Sequence, residues 1–259
     1  MPADLRAYTC GHTQHDLAQL VAGHPRERRT FPSTVFGYSH GDHHVLFDTG
    51  YAPQPWRTGL TGRLYRRLLP PELPPEQDIA AQLDPASVTH VVLSHLHPDH
   101  IGGLRHFPRA RIVLHRGLLT TLASPRLRDG LLPGLLPDWF TEATRDPNRC
   151  TAVEDFTPGP FGLDTCDLFG DGSYQLVDLP WHARGHLGAL VEGRLLLAGD
   201  AAWGRDLLPQ VERMRAVPRW ITHDGAAHLA TSRRLLEAER GGAELLFSHD
   251  DHPSGVNLL

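Results

Sequence analysis

Short apolar runs broken by turn residues recur along the chain, and their spacing predicts strands more often than helices. Thr34-Val35-Phe36-Gly37-Tyr38 and Val45-Leu46-Phe47 read as two strands joined through residues 39–44, with Gly41 where a hairpin turn needs it. The β-branched run Thr89-His90-Val91-Val92-Leu93 predicts a buried strand, and Arg111-Ile112-Val113-Leu114 predicts another, ending at His115. Near Thr157 a second strand-rich half begins. Residues 166–169 and 174–177 flank Gly170-Asp171-Gly172-Ser173, residues 188–192 turn at Gly193 into residues 194–198, and residues 244–247 form a last strand. Helical spacing is confined to Leu60, Leu64, Leu68 and Leu69, to residues 76–83, and to residues 226–239. Two leucine- and proline-rich stretches, near 51–75 and 117–155, interrupt the pattern as insertions in a single domain spanning 1–259.

Chemistry concentrates where the strand at residues 89–93 ends. Ser94-His95-Leu96-His97-Pro98-Asp99-His100-Ile101-Gly102-Gly103 places His95, His97, Asp99 and His100 within one short loop. In extended backbone residues i and i+2 point the same way, so His95 and His97 can aim two imidazoles at one ion. Pro98 suits the first turn of a helix, which would turn Asp99 and His100 inward, and Gly102-Gly103 allow close backbone packing. One loop could then serve two adjacent metal ions. Three later strand-end signals each add one candidate ligand: His186, Asp200 and His249. Asp48, closing the strand at residues 45–47, could cap its turn or orient a neighbouring ligand. His40, His43 and His44 read as exposed turn residues and His115 as a satisfied structural histidine; His182, His223 and His228 read as surface or satisfied histidines before substrate contacts.

Composition narrows the function. The 259 residues carry a net charge of −5, and all 25 basic residues are arginine with no basic run, which argues against nucleic acid and anionic membrane partners. No window approaches the apolar length of a membrane helix, and the amino terminus lacks the apolar core of a signal peptide, so a cytoplasmic location is expected. Cys10, Cys150 and Cys166 have no paired spacing, so free thiols are expected in place of a disulfide or thiolate site. With histidine and carboxylate donors and no thiolate, the set suits two divalent ions, zinc first, with open positions for water.

The elements His95-Leu96-His97-Pro98-Asp99-His100, Gly185-His186, Gly199-Asp200 and Ser248-His249, in this order and each at a strand end, resemble the metallo-β-lactamase superfamily over nearly the whole chain. The resemblance implies an α+β fold, a four-layer αββα sandwich with the metals at one edge. It implies that His95, His97 and His186 hold one ion, that Asp99, His100 and His249 hold the other, and that Asp200 bridges them. Asp48-Thr49-Gly50 also resembles a family feature, which points Asp48 toward orienting a ligand. Within the superfamily, residues 167–173 and the layout up to His186 are most similar to the N-acyl-homoserine lactonase-like group. Two departures stand out. The usual glycine-histidine-threonine-proline-glycine element is Gly185-His186-Leu187-Gly188-Ala189, and the tyrosine those lactonases carry three residues after the bridging aspartate is Trp203.

The expected activity is hydrolysis of an ester-like bond, foremost a lactone, with Asp99 and Asp200 catalytic and Trp203 at the substrate, in a monomer or homodimer acting on a small molecule. The resemblance also covers thioesterases of the hydroxyacylglutathione hydrolase type, for which Arg184, Arg205, Arg213 and Arg215 could meet carboxylates, and mononuclear-iron persulfide dioxygenases. Apolar residues at 56–69 and 131–140 suggest an acyl-binding wall.

Overall fold

The computed structural model describes residues 2–215 and 225–259, and the side chains of all of these but 225 and 226. The strands are β1 (Asp4–Asp16), β2 (Arg28–His40), β3 (His43–Phe47), β4 (His90–Leu93), β5 (Arg111–His115), β6 (Cys150–Val153), β7 (Thr157–Pro158), β8 (Asp164–Asp167), β9 (Tyr174–Asp178), β10 (Leu187–Val191), β11 (Leu195–Gly199) and β12 (Glu244–Phe247). The helices are α1 (Leu17–Leu20), α2 (Gly59–Leu68), α3 (Ile79–Gln82), α4 (Pro98–Ile101), α5 (Arg116–Ala123), α6 (Phe140–Ala143) and α7 (Gly225–Arg240), with short 3₁₀ turns between them.

The strands form two mixed six-stranded sheets, ordered β1-β2-β3-β4-β5-β6 and β12-β11-β10-β9-β8-β7. In the first, β1 to β3 pair antiparallel and β3 to β6 parallel. In the second, only β11 and β12 pair parallel. Alternation along single strands sorts side chains into layers. Val92 and Val113 enter the core between the sheets, where they meet Tyr174, Leu176, Ala189 and Leu197. Their neighbours Val91, Leu93, Ile112 and Leu114 face the opposite way, into a core shared with Ile101, Leu118 and Phe140 of the helical layer. On the far side Val177, Leu190 and Leu196 pack on Leu235 and Ala238 of α7. The result is the expected αββα sandwich.

Some predicted elements moved. β1 was not anticipated as a strand of 13 residues; its polar alternation is broken by a bulge between Thr9 and His12, where Gly11 takes a φ of +94°. The helix expected over residues 76–83 divides into a 3₁₀ turn, Pro75–Gln77, and α3, because the Asp78 carboxylate accepts from the Ala80 N–H and restarts the helix. His43 is half-buried and stacks on Phe169 at 3.7 Å, where exposure was expected. Of the two apolar stretches, 131–140 is core more than pocket wall, with Leu131, Leu132, Leu135 and Phe140 buried against the first sheet; in 56–69 Trp56 is buried with them, but Leu60, Leu64 and Leu68 of α2 are exposed. All three cysteines are free. No helix among the described residues is long and apolar enough to cross a membrane.

Candidate metal centre

The candidate ligands come from the carboxyl ends of β4 and β11, from the end of β12, and from the loop between β9 and β10, with Asp48 beside them at the end of β3. The loop after β4 folds as its sequence predicts. Pro98 opens α4, so Asp99 and His100 sit in its only turn. Close approach of this turn to residues 49–52 requires glycine: a Cβ on Gly102 would lie 2.0 Å from the Ala52 nitrogen, and one on Gly103 would lie 2.2 Å from the Thr49 carbonyl oxygen. Thr49 then uses both its N–H and its hydroxyl to donate to the His100 carbonyl, at 2.8 Å each. The Ser33 hydroxyl holds the Asp99 carbonyl at 2.6 Å.

Two groups of side chains converge, His95, His97, His182 and Asp200 in one, Asp99, His100, Asp200 and His249 in the other; within each group the donor atoms lie within 4.8 Å of one another. Asp200 belongs to both. Its Oδ2 lies 3.8 Å from His95 Nε2, 3.3 Å from His182 Nε2 and 3.2 Å from His249 Nε2, while its Oδ1 lies 3.3 Å from His100 Nε2. Asp99 Oδ2 lies 3.5 Å from His100 Nε2 and 3.6 Å from His249 Nε2. His182 Nε2 lies 3.1 Å from His97 Nδ1.

The surrounding hydrogen bonds decide which nitrogen faces inward. His100 Nδ1–H donates to Asp48 Oδ2 at 2.7 Å, and His249 Nδ1–H donates to the Pro32 carbonyl at 2.7 Å. The Ser94 hydroxyl donates to Asp48 Oδ2 at 2.7 Å, which leaves its oxygen to accept from His95 Nδ1 at 2.9 Å. Three imidazoles therefore turn Nε2 toward the cluster. His95 Nε2, His100 Nε2 and Asp200 Oδ1 are buried with no hydrogen-bond partner. Buried acceptors of this kind are costly unless something completes them, and imidazole and carboxylate donors in these groups fit a pair of divalent cations.

Electrostatics separate the two groups, one of neutral imidazoles and one whose imidazoles hold a proton that a cation would displace. Burial, reinforced by neighbouring imidazoles, holds His95 and His182 well below the usual histidine range, and burial also lowers His97, so these three are neutral and able to ligate. In the other group burial opposes charge, but Asp200, Asp99 and Asp48 outweigh it and raise His100 well above its ordinary value. Against the same burial, Asp200 and Asp99 lift His249 to about 9. Asp200 responds in the opposite sense: His249 and His100 outweigh burial and hold its carboxyl well below the usual range. Burial, then the Asp99 charge, keeps the phenols of Tyr51 and Tyr65 protonated.

The expectation for His186 is corrected. It is fully buried beside the site, but both ring nitrogens face the main chain: Nδ1–H donates to the Leu179 carbonyl at 3.2 Å, and Nε2 accepts from the Asp200 N–H at 3.1 Å. Burial pushes it down to about 4, consistent with a neutral ring used as a brace. His182, read from sequence as a surface or satisfied histidine, is 2% exposed and takes the corner assigned to His186. Both histidines lie in the loop between β9 and β10, and composition alone does not separate them. The physical signal is position: His186 immediately precedes β10 and is walled by Gly199, whose Cβ would fall 2.8 Å from its Nε2, whereas His182 is earlier in the loop and free to turn inward. His182→Asn is expected to remove about one of the two bound ions per chain, and His186→Asn to keep both while lowering stability by about 1–3 kcal/mol through the orphaned Asp200 N–H. Elemental analysis and thermal melts of the two variants check this; loss of an ion from the His186 variant alone would reverse the assignment.

The remaining candidates divide. Asp48 is fully buried with a φ of +65° and orients ligands directly. Trp203 is half-buried, packed against Leu17, Val21, Phe31 and Leu207, and Phe31 in turn meets the His249 ring edge-on at 6.3 Å. His115 is the structural histidine expected, accepting from the Gly117 N–H and stacking on Phe156. His228 stacks on Trp181 at 3.4 Å, and His223 lies outside the described residues.

Comparisons with known proteins agree with this geometry. A family model described as the metallo-beta-lactamase superfamily matches residues 28–249. An N-acyl homoserine lactonase AttM of Azorhizobium caulinodans is 31% identical over 178 residues, which cover 66% of this chain and only 61% of that relative's length. A protein of the same name from Rhizobium johnstonii is 28% identical over 232 residues, covering 85% of this chain and 82% of the relative. Among solved structures, an N-acyl homoserine lactone hydrolase with the product N-hexanoyl-L-homoserine at its catalytic metal center superposes with a TM-score of 0.70 at 19% identity, covering 95% of this chain and 93% of that one.

Proposed function

Because the chain belongs to the metallo-β-lactamase superfamily, we propose that it is a binuclear metal-dependent hydrolase whose substrate is a lactone. The observation that carries this reading is Asp200, one buried carboxylate shared by two ligand groups, each of its oxygens facing imidazole Nε2 atoms. His95, His97, His182 and Asp200 would hold one divalent ion, zinc by the donor set, and Asp99, His100, His249 and Asp200 the other. Such a pair supplies a nucleophile at neutral pH and Lewis acidity toward the scissile carbonyl.

The chain's own residues do the rest. Asp200 fixes the spacing between the groups, and His186 fixes Asp200 by bracing its N–H. Asp99 Oδ2, kept ionised because His100 outweighs the cost of burial, is placed to accept or orient the proton of the attacking group. Trp203 stands as the substrate-side contact in this reading. Its indole N–H can donate to a carbonyl oxygen but cannot exchange a proton as a phenol does. The two lactonase relatives favour a lactone over the thioester and persulfide alternatives, and the second ligand group favours two ions over one.

Purified protein is expected to carry about two metal ions per chain and to open lactones in preference to thioesters and phosphodiesters, with turnover lost on chelation and restored by zinc. Elemental analysis and a hydrolysis panel provide the test; full lactone turnover in metal-stripped protein would end the proposal.

A further inference from the structure

Beside the candidate centre a cleft opens between α5, the turn at residues 127–130 and the loop that carries His182, lined by Leu96, Leu118, Arg128, Asp129, His182 and Arg184 among others. Residues 127–130 lie directly over the metal site: Gly130 has a φ of +67°, and a Cβ there would fall 2.3 Å from the His97 ring. The cleft therefore adjoins both His97 and His182. Leu96 and Leu118, each 1% exposed, close its floor, and its rim carries two guanidinium groups.

Among the described residues Arg184 differs from the other arginines, which are either paired or, like Arg57, Arg109 and Arg128, exposed. Arg29 pairs with Asp206 and Asp250, Arg116 with Glu154, Arg205 with Glu239, and Arg234 with Asp164. Neither Arg128 nor Arg184 makes a hydrogen bond or ion pair among the described residues, although Arg184 is half-buried. The stem of Arg184 is held in place: a Cβ on Gly117 would lie 3.1 Å from its Cγ, and the adjoining Gly185, at a φ of +67°, backs onto His115. The one carboxylate in the cleft, Asp129, is already engaged, its Oδ2 accepting the Arg126 N–H at 2.8 Å. A restrained, unpaired guanidinium is suited to a planar anion, which it can grip with two parallel N–H donors.

We propose that this cleft is an anion subsite in which Arg184, helped by Arg128, binds a carboxylate on the acyl side of the substrate, so that the enzyme prefers acyl lactones bearing a distal acid. The inference rests on the hydrolase reading above and names its substrate class.

N-adipoyl-homoserine lactone and N-hexanoyl-homoserine lactone, equal in chain length and differing by the terminal carboxylate, provide the test. Zinc-loaded wild-type protein should have the higher kcat/KM for the adipoyl compound, with the difference in KM. Arg184→Gln should reduce the ratio of the two kcat/KM values about tenfold or more, Arg128→Gln by less, and Arg184→Glu should invert it. Added salt should shrink the wild-type preference. A ratio that favours the hexanoyl compound, or that is the same in all four proteins, overturns the subsite while leaving the lactonase intact. If neither compound is hydrolysed the lactonase reading fails, and titration calorimetry with the adipoyl lactone then decides the subsite: binding to wild type that is lost in Arg184→Gln upholds it, and binding that is absent or equal in both ends it.

Discussion

Asp200→Asn is expected to give a folded protein with less bound metal and with lactone turnover reduced by about 10³-fold or more, the scale of losing an aligned charge at a reacting centre. The side chain is 2% exposed, so a near-isosteric amide leaves the packing alone and changes only charge and donor properties. Both carboxylate oxygens face imidazoles: Oδ2 faces His95, His182 and His249, and Oδ1 faces His100. An amide can offer an oxygen to one side only and presents N–H groups to the other, where His100 or the three histidines need an anion or a shared cation. The two ligand groups are thereby uncoupled, since no other residue belongs to both. Metal content by elemental analysis, read beside kcat/KM on a lactone, separates the outcomes. A variant that retains two ions and wild-type turnover would remove Asp200 from the centre of the reading.

What the sequence made legible follows from how local each constraint is. The loop after β4 was readable because four ligand types, a proline and two glycines fall together, and each has a backbone consequence: Pro98 opens α4, and Gly102 and Gly103 let it touch residues 49–52. Strand ends at Asp48, Asp200 and His249 were readable because apolar runs stop there and a polar residue follows. The choice between His182 and His186 was not local. It depends on which ring the Asp200 N–H meets across the gap between β10 and β11, a contact made by sheet pairing and invisible to spacing. β1 was missed for a similar reason, since a polar, histidine-rich segment becomes a strand only because β2 pairs along its length. Leucines at 131–135 read from sequence as a pocket wall because apolar character does not say which surface covers it; here the first sheet does.

Asp48 carries the second large effect, and it acts through other residues. Its carboxylate accepts the Ser94 N–H at 2.8 Å, the Ser94 hydroxyl at 2.7 Å and His100 Nδ1–H at 2.7 Å. Through Ser94 it reaches His95, so a single side chain fixes one imidazole of each ligand group. Asp48→Asn should fold, because asparagine tolerates the left-handed φ of +65° that this position requires. Having one acceptor oxygen instead of two, it must turn its NH2 either toward the Ser94 N–H or toward the Ser94 hydroxyl and His100 Nδ1–H that share Oδ2, and it loses the carboxylate charge either way, so zinc affinity measured by chelator competition should fall about 10–100-fold. Asp48→Ala keeps no acceptor and adds left-handed strain of about 1–2 kcal/mol. It should lower stability by a further ~1–3 kcal/mol for each buried donor left unpaired. The two variants therefore distinguish positioning from simple structural support: support alone predicts that affinity follows melting temperature across the pair, whereas positioning predicts that the asparagine variant loses affinity with little loss of stability. Wild-type zinc affinity in Asp48→Asn would leave the orientation of His95 and His100 to the backbone, and the carboxylate would be only a cap for the turn that follows β3.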